Sequence, residues 1–160
     1  MKYLAIISAI TLAFAACSKS NSDCQPEQYN YTFSNNKKVD TATHSPGNFF
    51  ASMVNGTNLV FSYHYTSRVC ENIADGGYVD QLYIEVPAGS NSFEYNDATE
   101  LQNGMCYFLR SCFCGNVSSR LVTGTIKGTK VSDTKWSVQA NVTEPVGQVS
   151  IIFNKTFTLN

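Results

Sequence analysis

Charge is scarce in this chain. Only 14% of its 160 residues are Asp, Glu, Lys or Arg, where an average soluble domain carries about a quarter. Eleven basic and twelve acidic side chains nearly cancel, leaving a formal net charge of −1. With no basic field to gather phosphates, nucleic acid is not expected as a partner. Histidine is scarcer still: His44 and His64 are the two present, and a catalytic nucleophile needs a positioned base. The chain has no G-x-S-x-G elbow, no H-E-x-x-H pair and no G-x-x-x-x-G-K-S/T loop. It also lacks a strand-then-helix pattern that would host G-x-G-x-x-G. Neither enzymatic activity nor a bound cofactor is expected. Long apolar runs are missing as well, since nothing between residues 18 and 160 approaches the ~18 residues that span a bilayer.

What is present is an apolar, aromatic body, 43% hydrophobic and 12% aromatic, of a length that fits one domain. Its periodicity is two, with strands punctuated by Gly, Asn, Asp and Pro. From Trp136 to Val142 every even position is apolar and every odd one polar, which describes a sheet with one buried face and places Trp136 in the core. Val149, Ile151, Phe153, Phe157 and Leu159 repeat the alternation. Lys155 interrupts it and points to a bulge or an edge. The last strand should pair with the one before it. Leu59, Phe61, Tyr63 and Tyr65 line another strand, and Asn55-Gly56 ahead of them predicts a hairpin with Phe49 to Val54. Leu82, Ile84 and Val86 line a third strand. Met105 to Cys114 and Leu121 to Val131 are further strands, with Gly124 and Gly128 suited to close packing beneath an aromatic such as Trp136. Asp97 to Gln102 is the one stretch with helical character. The expected fold is all-β, an antiparallel β-sandwich of about nine strands, with a small β-barrel as the alternative.

The N-terminus reads differently. Met1-Lys2 is followed by an apolar run from Tyr3 to Phe14, then Ala15-Ala16-Cys17, the layout of a secretory signal peptide. Phe14-Ala15-Ala16-Cys17 resembles the lipobox of bacterial lipoproteins, departing from it in Phe14, where that family prefers Leu, Val or Ile. The resemblance implies that the Cys17 thiol receives a diacylglycerol and becomes the new N-terminus, a stable membrane anchor without a transmembrane helix. Ordinary cleavage after Ala13-Phe14-Ala15 is the rival and leaves Cys17 a plain thiol. A Cys-Ser-Lys-Ser start before an Asn/Thr/Tyr-rich β-patterned body is similar to the small lipoproteins of Bacteroidota-type bacteria. Residues 1–16 are thus expected as signal peptide, 17–28 as lipidated Cys17 and tether, and 29–160 as one β-sandwich domain held to the outer membrane. The two faces expected for it are the periplasmic one and the cell surface.

With Cys17 lipidated, Cys24, Cys70, Cys106, Cys112 and Cys114 remain as disulfide candidates, an odd number in an oxidising compartment, so at least one thiol stays unpaired. With Cys17 free, all six can pair. Cys112 and Cys114 flank Phe113 on one expected strand, where a bond between them demands distorted geometry. Cys106 with Cys112, or Cys70 with one of these three, are the pairings considered. A zinc site of Cys106, Cys112, Cys114 and His64 has the ligand chemistry but not the spacing of known knuckles, so no metal is expected.

Other groups are weaker. Glu85, Glu94, Asp97 and Glu100 are the nearest carboxylate cluster that could run glycoside hydrolysis, Asp75, Asp80 or Asp97 could supply oxygen ligands to a small calcium site although no spacing matches an EF-hand, and His64 reads as an exposed sheet histidine. Asp40-Thr41-Ala42 resembles a Bacteroidota O-glycosylation motif. Tyr29, Tyr31, Tyr63, Tyr65, Tyr78, Tyr83, Tyr95 and Tyr107 are numerous enough to include an exposed glycan platform, though tyrosine is also simply a good strand former. The expectation is a lipid-anchored, non-catalytic module binding a glycan or protein partner at the cell envelope. A periplasmic inhibitor or stability factor for a partner protein is the alternative, and a small envelope hydrolase a further one.

Overall fold

A computed structural model describes residues 24–45, 48–70, 76–113 and 115–160. Within them run β1 (Cys24–Gln25), β2 (Gln28–Ser45), β3 (Asn48–Asn55), β4 (Asn58–Thr66), β5 (Val69–Cys70), β6 (Tyr78–Val86) and β7 (Ser92–Tyr95). There follow the short helix α1 (Ala98–Asn103), β8 (Tyr107–Cys112), β9 (Val117–Arg120), β10 (Gly124–Ser132), β11 (Lys135–Thr143) and β12 (Ser150–Leu159). The fold is all-β, as the period-two pattern predicts. Ten strands make one sheet in the order β7, β10, β11, β12, β2, β4, β6, β8, β9, with β3 added on β2, while β1 and β5 pair separately. Among the described residues no helix is long and apolar enough to cross a membrane.

The sheet curls until its two halves face each other like a sandwich. Apolar residues at alternate positions of β4, β6 and β8 (Phe61, Leu82, Ile84, Phe108) meet those of β10, β11 and β12 (Ile126, Trp136, Val138, Phe157) in a single core. Rings lock the halves together: Phe61 lies edge-on to Trp136 at 5.2 Å and Tyr31 edge-on to Phe153 at 5.5 Å. The seam between the halves is parallel, with Thr158 and Leu159 of β12 beside Thr32 and Phe33 of β2. The sheet is therefore mixed rather than wholly antiparallel, because β12 returns beside β2 in the same direction. Between Ser150 and Phe157 the register of β12 with β11 is unbroken. Lys155 therefore marks an edge, where β12 has parted from β2, and not a bulge.

The Asn55-Gly56 corner does not make the expected hairpin. β3 and β4 both pair with β2: β3 takes Lys37 to Ser45, and β4 takes Gln28 to Ser34 together with Lys37. The reason is a break in β2, where the register shifts between Ser34 and Lys37 and Asn36 sits at φ 55°. Gly56 N–H bonds the Asn36 carbonyl at 3.0 Å, and a Cβ on Gly56 would lie 2.7 Å from Lys38 Cβ, so glycine is required where the two bends meet. The outer arm of β2 and β3 then fold over the opposite face of the first half-sheet, where Val39 and Ala51 pack on Val60 and Tyr107.

Two smaller expectations shift. Gly128 lies beneath Phe93, not Trp136: a Cβ there would stand 2.2 Å from the Phe93 ring. β8 ends at Cys112 rather than Cys114. The helical stretch appears as α1, capped by Asp97, whose carboxylate accepts Glu100 N–H at 2.9 Å while Glu100 accepts Asn96 N–H at 2.6 Å. At the start of the described chain, Cys24 is already in a strand, facing Cys70 across the β1–β5 pair.

Candidate functional site

Antiparallel registers bring four connections to one end of the sandwich: the break in β2, the corner before β4, the turn after β6 and the end of β10. They enclose a cleft of about 430 Å³. Its floor is the buried pair Phe33 and Trp136, and its rim carries Asn35, Asn36, Thr57, Asn58, Ser90, Lys130 and Asp133. The two charges cancel, because Lys130 Nζ lies 2.7 Å from Asp133 Oδ1, and that hydrogen bond holds the Asp133 carboxyl below its usual range. What the cleft offers a ligand is neutral amides and hydroxyls.

The rim is held from below. Glu85 accepts Asn58 Nδ2 on Oε1 at 2.6 Å and Val39 N–H on Oε2 at 2.6 Å, tying the corner to the outer arm of β2. Ser90 Oγ donates to the Pro87 carbonyl at 2.8 Å, and Gly89 at φ 82° lets that turn close. Asn35 and Asn36 remain exposed on the unpaired apex of β2.

The opposite end is aromatic. Tyr29 rests on Tyr65 at 4.8 Å, Tyr31 on Tyr63 at 5.5 Å, and Tyr65 on Tyr78 at 5.6 Å. Arg110 lies over the Tyr78 ring at 4.2 Å. Of the eight tyrosines considered for a platform, Tyr63, Tyr65 and Tyr107 are buried, Tyr31, Tyr78, Tyr83 and Tyr95 are half-buried, and Tyr29 is exposed. Seven of the eight pack in or against the two apolar clusters and only Tyr29 stands exposed, so they do not form a flat stacking surface. Burial pushes the Tyr63 and Tyr65 phenols well above their ordinary value.

The carboxylates do not converge. Glu85 supports the corner, Glu94 is exposed on β7 opposite Lys127, and Asp97 and Glu100 cap α1. Asp80 is buried and held by Arg110, and Asp75 lies outside the described residues. His64 is half-buried on the outer face of β4, opposite Gln81; the side chain of His44, in β2, is outside the description. The exposed Asp40 and Thr41 sit on the outer arm of β2.

The cysteines sort unevenly. Cys24 and Cys70 form a disulfide, so Cys70 takes none of the three later cysteines. Cys106 is a free, fully buried thiol, which removes it from the disulfide candidates, and burial raises its pKa. The packing explains this: its side chain joins Leu101 and Leu121 in the core. Cys112 is disulfide-bonded to a partner outside the described residues, where Cys17 and Cys114 also lie. Cys112 faces Tyr78 on the core side of the sheet, opposite to His64, so the zinc set considered from sequence does not come together. Among the described residues no three His, Cys, Asp or Glu side chains are grouped to hold a metal.

The sequence does not single out the cleft amides, and it offers Asp80 as an oxygen donor rather than as the ion-pair partner of Arg110 that it is. Asp80 and Arg110 are partners only through the β6–β8 register. Glu144 is fully buried and accepts Val146 N–H at 2.7 Å and Gly147 N–H at 2.5 Å, a local pattern that the run Glu144-Pro145-Val146-Gly147 does signal. No protein-family model, no curated protein and no solved structure matches the chain.

Proposed function

We propose that the protein is an exported lipoprotein, anchored to the outer membrane through an acylated Cys17, whose β-sandwich is a non-catalytic module that binds a neutral, hydroxyl-rich ligand such as a glycan. The cysteine count carries the anchor. If Cys17 were an ordinary thiol, complete pairing of all six cysteines would be the natural state of an exported domain. The free, buried Cys106 rules out complete pairing. With Cys24 bonded to Cys70 and Cys112 also bonded, one further cysteine is left without a partner within the chain, either Cys17 or Cys114. Acylation of Cys17 accounts for it and leaves Cys114 to bridge Cys112. The sequence objection to that bridge weakens because β8 ends at Cys112.

The cleft supports the binding role. It opens at the end of the sandwich remote from Cys24, where the N-terminal segment joins, so a tether at one end leaves the other free. Its neutral rim suits a partner rich in hydroxyls, since each amide both donates and accepts.

The test is binding of the mature protein to an array of neutral oligosaccharides, alongside the variant N35A/N36G, in which glycine keeps the left-handed backbone of Asn36. At least one neutral oligosaccharide should bind, and the variant should lose about tenfold or more of that affinity with its unfolding midpoint unchanged. Absence of any neutral ligand, or equal binding by the variant, would overturn the assignment.

A further inference from the structure

The end of the sandwich opposite the cleft is apolar at its tips. Tyr29 at the start of β2, Val69 in β5, Phe113 after β8 and Val146 between β11 and β12 are 55%, 39%, 84% and 72% exposed. They are four of the eight large apolar residues that are exposed among those described. The other four are dispersed, with Phe50 on the outer arm, Ile152 on the outer face of β12, and Val131 and Leu159 towards the cleft.

The pairing registers put the four tips together. Tyr29 faces Tyr65, Thr66 faces Val79, and Tyr78 faces Cys112, so the start of β2, the end of β4 and the end of β8 share one end of the first half-sheet. β12 runs parallel to β2 and starts at the same end. The connection carrying Val146 is thereby placed there too, close enough for Glu144 to act on the charge of Arg110.

We propose that this end rests on the lipid bilayer, with Tyr29, Val69, Phe113 and Val146 dipping into its interface so that the domain stands upright and the cleft points away. The proposal rests on the reading of Cys17 as a lipid anchor. Cys17 precedes Cys24 by seven residues, a reach of at most about 25 Å. That is shorter than the roughly 30 Å length of a nine-residue strand such as β6. The Cys24–Cys70 bridge ties that short segment to β5, beside Val69. An acyl chain on Cys17 therefore holds this end, and no other, within reach of the headgroups.

The four apolar side chains stand on four different segments of the chain. A protein interface requires area and shape complementarity; a bilayer interface does not, and it accepts isolated apolar tips and the amphipathic tyrosine ring.

The test places a tryptophan at a tip and reads its quenching by bromine-labelled lipids, in full-length mature protein reconstituted into phosphatidylethanolamine and phosphatidylglycerol vesicles. Phe113→Trp is the probe, Val146→Trp a second in case the first misfolds, and Val131→Trp the control near the cleft. The native Trp136 is buried, and its signal, measured in the unsubstituted protein, is subtracted from that of each variant. Quenching of the tip probes about twofold or more above the control supports the proposal. Equal, weak quenching at all positions in protein whose mass shows an acylated Cys17 overturns it and leaves the anchor standing. Strong tip quenching in protein without an acyl chain supports the docking end and overturns only the anchor. A tip probe shielded by dimerisation, seen as a doubled mass in solution, overturns the proposal in favour of a second copy as occupant.

Discussion

Arg110 grips Asp80 with both arms of its guanidinium, Nε to Oδ1 at 2.6 Å and Nη2 to Oδ2 at 2.7 Å. The two residues face each other across β6 and β8, and Asp80 is buried where the core runs out into tyrosines. Its hydrogen bond to Asp80 keeps the Arg110 pKa above the usual value, against the opposing effect of burial. Planar pairing on one side and the Tyr78 ring at 4.2 Å on the other leave the guanidinium well matched.

Breaking this pair from one side leaves an uncompensated charge. Asp80→Asn should cost about 2–4 kcal/mol, below the full range for buried pairs because the Arg110 side chain is about a quarter exposed. Arg110→Lys keeps the charge but loses the fork and should cost less. Urea unfolding of both variants checks the order, and a neutral Asp80→Asn would show the pair to be screened.

Gly128 is set by a ring. Gly128→Ala should destabilise by about 1–3 kcal/mol, because the new methyl meets Phe93 at 2.2 Å and β7 must shift on β10. Shrinking that ring in the pair G128A/F93L should cost less than the sum of the two single changes. Strict additivity in denaturation would show that the contact is not what selects glycine.

Alkaline pH should unfold the domain. Burial raises Tyr31, Tyr63, Tyr65 and Tyr83 above the ordinary 10.0, and burial, with Cys106 and Glu85 nearby, pushes Tyr95 up to about 12. The unfolded chain therefore releases its phenolic protons first as pH rises. This contribution is fully present below pH 10 and is lost progressively above it. Tyrosinate absorbance should rise together with loss of β-sheet circular dichroism. A smooth titration near pH 10 with the fold intact would contradict the burial of these rings.

The strands were largely legible because a sheet with one wet face writes its period into the sequence. Trp136 to Val142 shows this, with Trp136, Val138, Ala140 and Val142 all buried. Strand partnership was less legible. Asn55-Gly56 carries the same local signal for a hairpin as for a corner, and the difference lies in a break at Asn36, some twenty residues earlier. The cleft was invisible for a similar reason: Asn35, Asn58 and Ser90 are ordinary turn residues until the registers bring their turns together. Cys106 looked like its neighbours because a buried thiol and half a disulfide are the same letter.

The Cys24–Cys70 bridge closes a separation of 46 residues, and replacing both with Ser should cost about 2–4 kcal/mol, chiefly by freeing the unfolded chain. Thermal unfolding checks this. An unchanged midpoint would place the bridge in a segment that opens before the core does.

The anchor is tested most directly by the intact mass of membrane-extracted protein, alkylated under denaturing conditions before and after reduction. The account predicts a chain beginning at acylated Cys17, with one alkylated thiol, Cys106, before reduction and five after it. A chain beginning at Ala16, free of lipid and alkylated at two thiols before reduction, would contradict it.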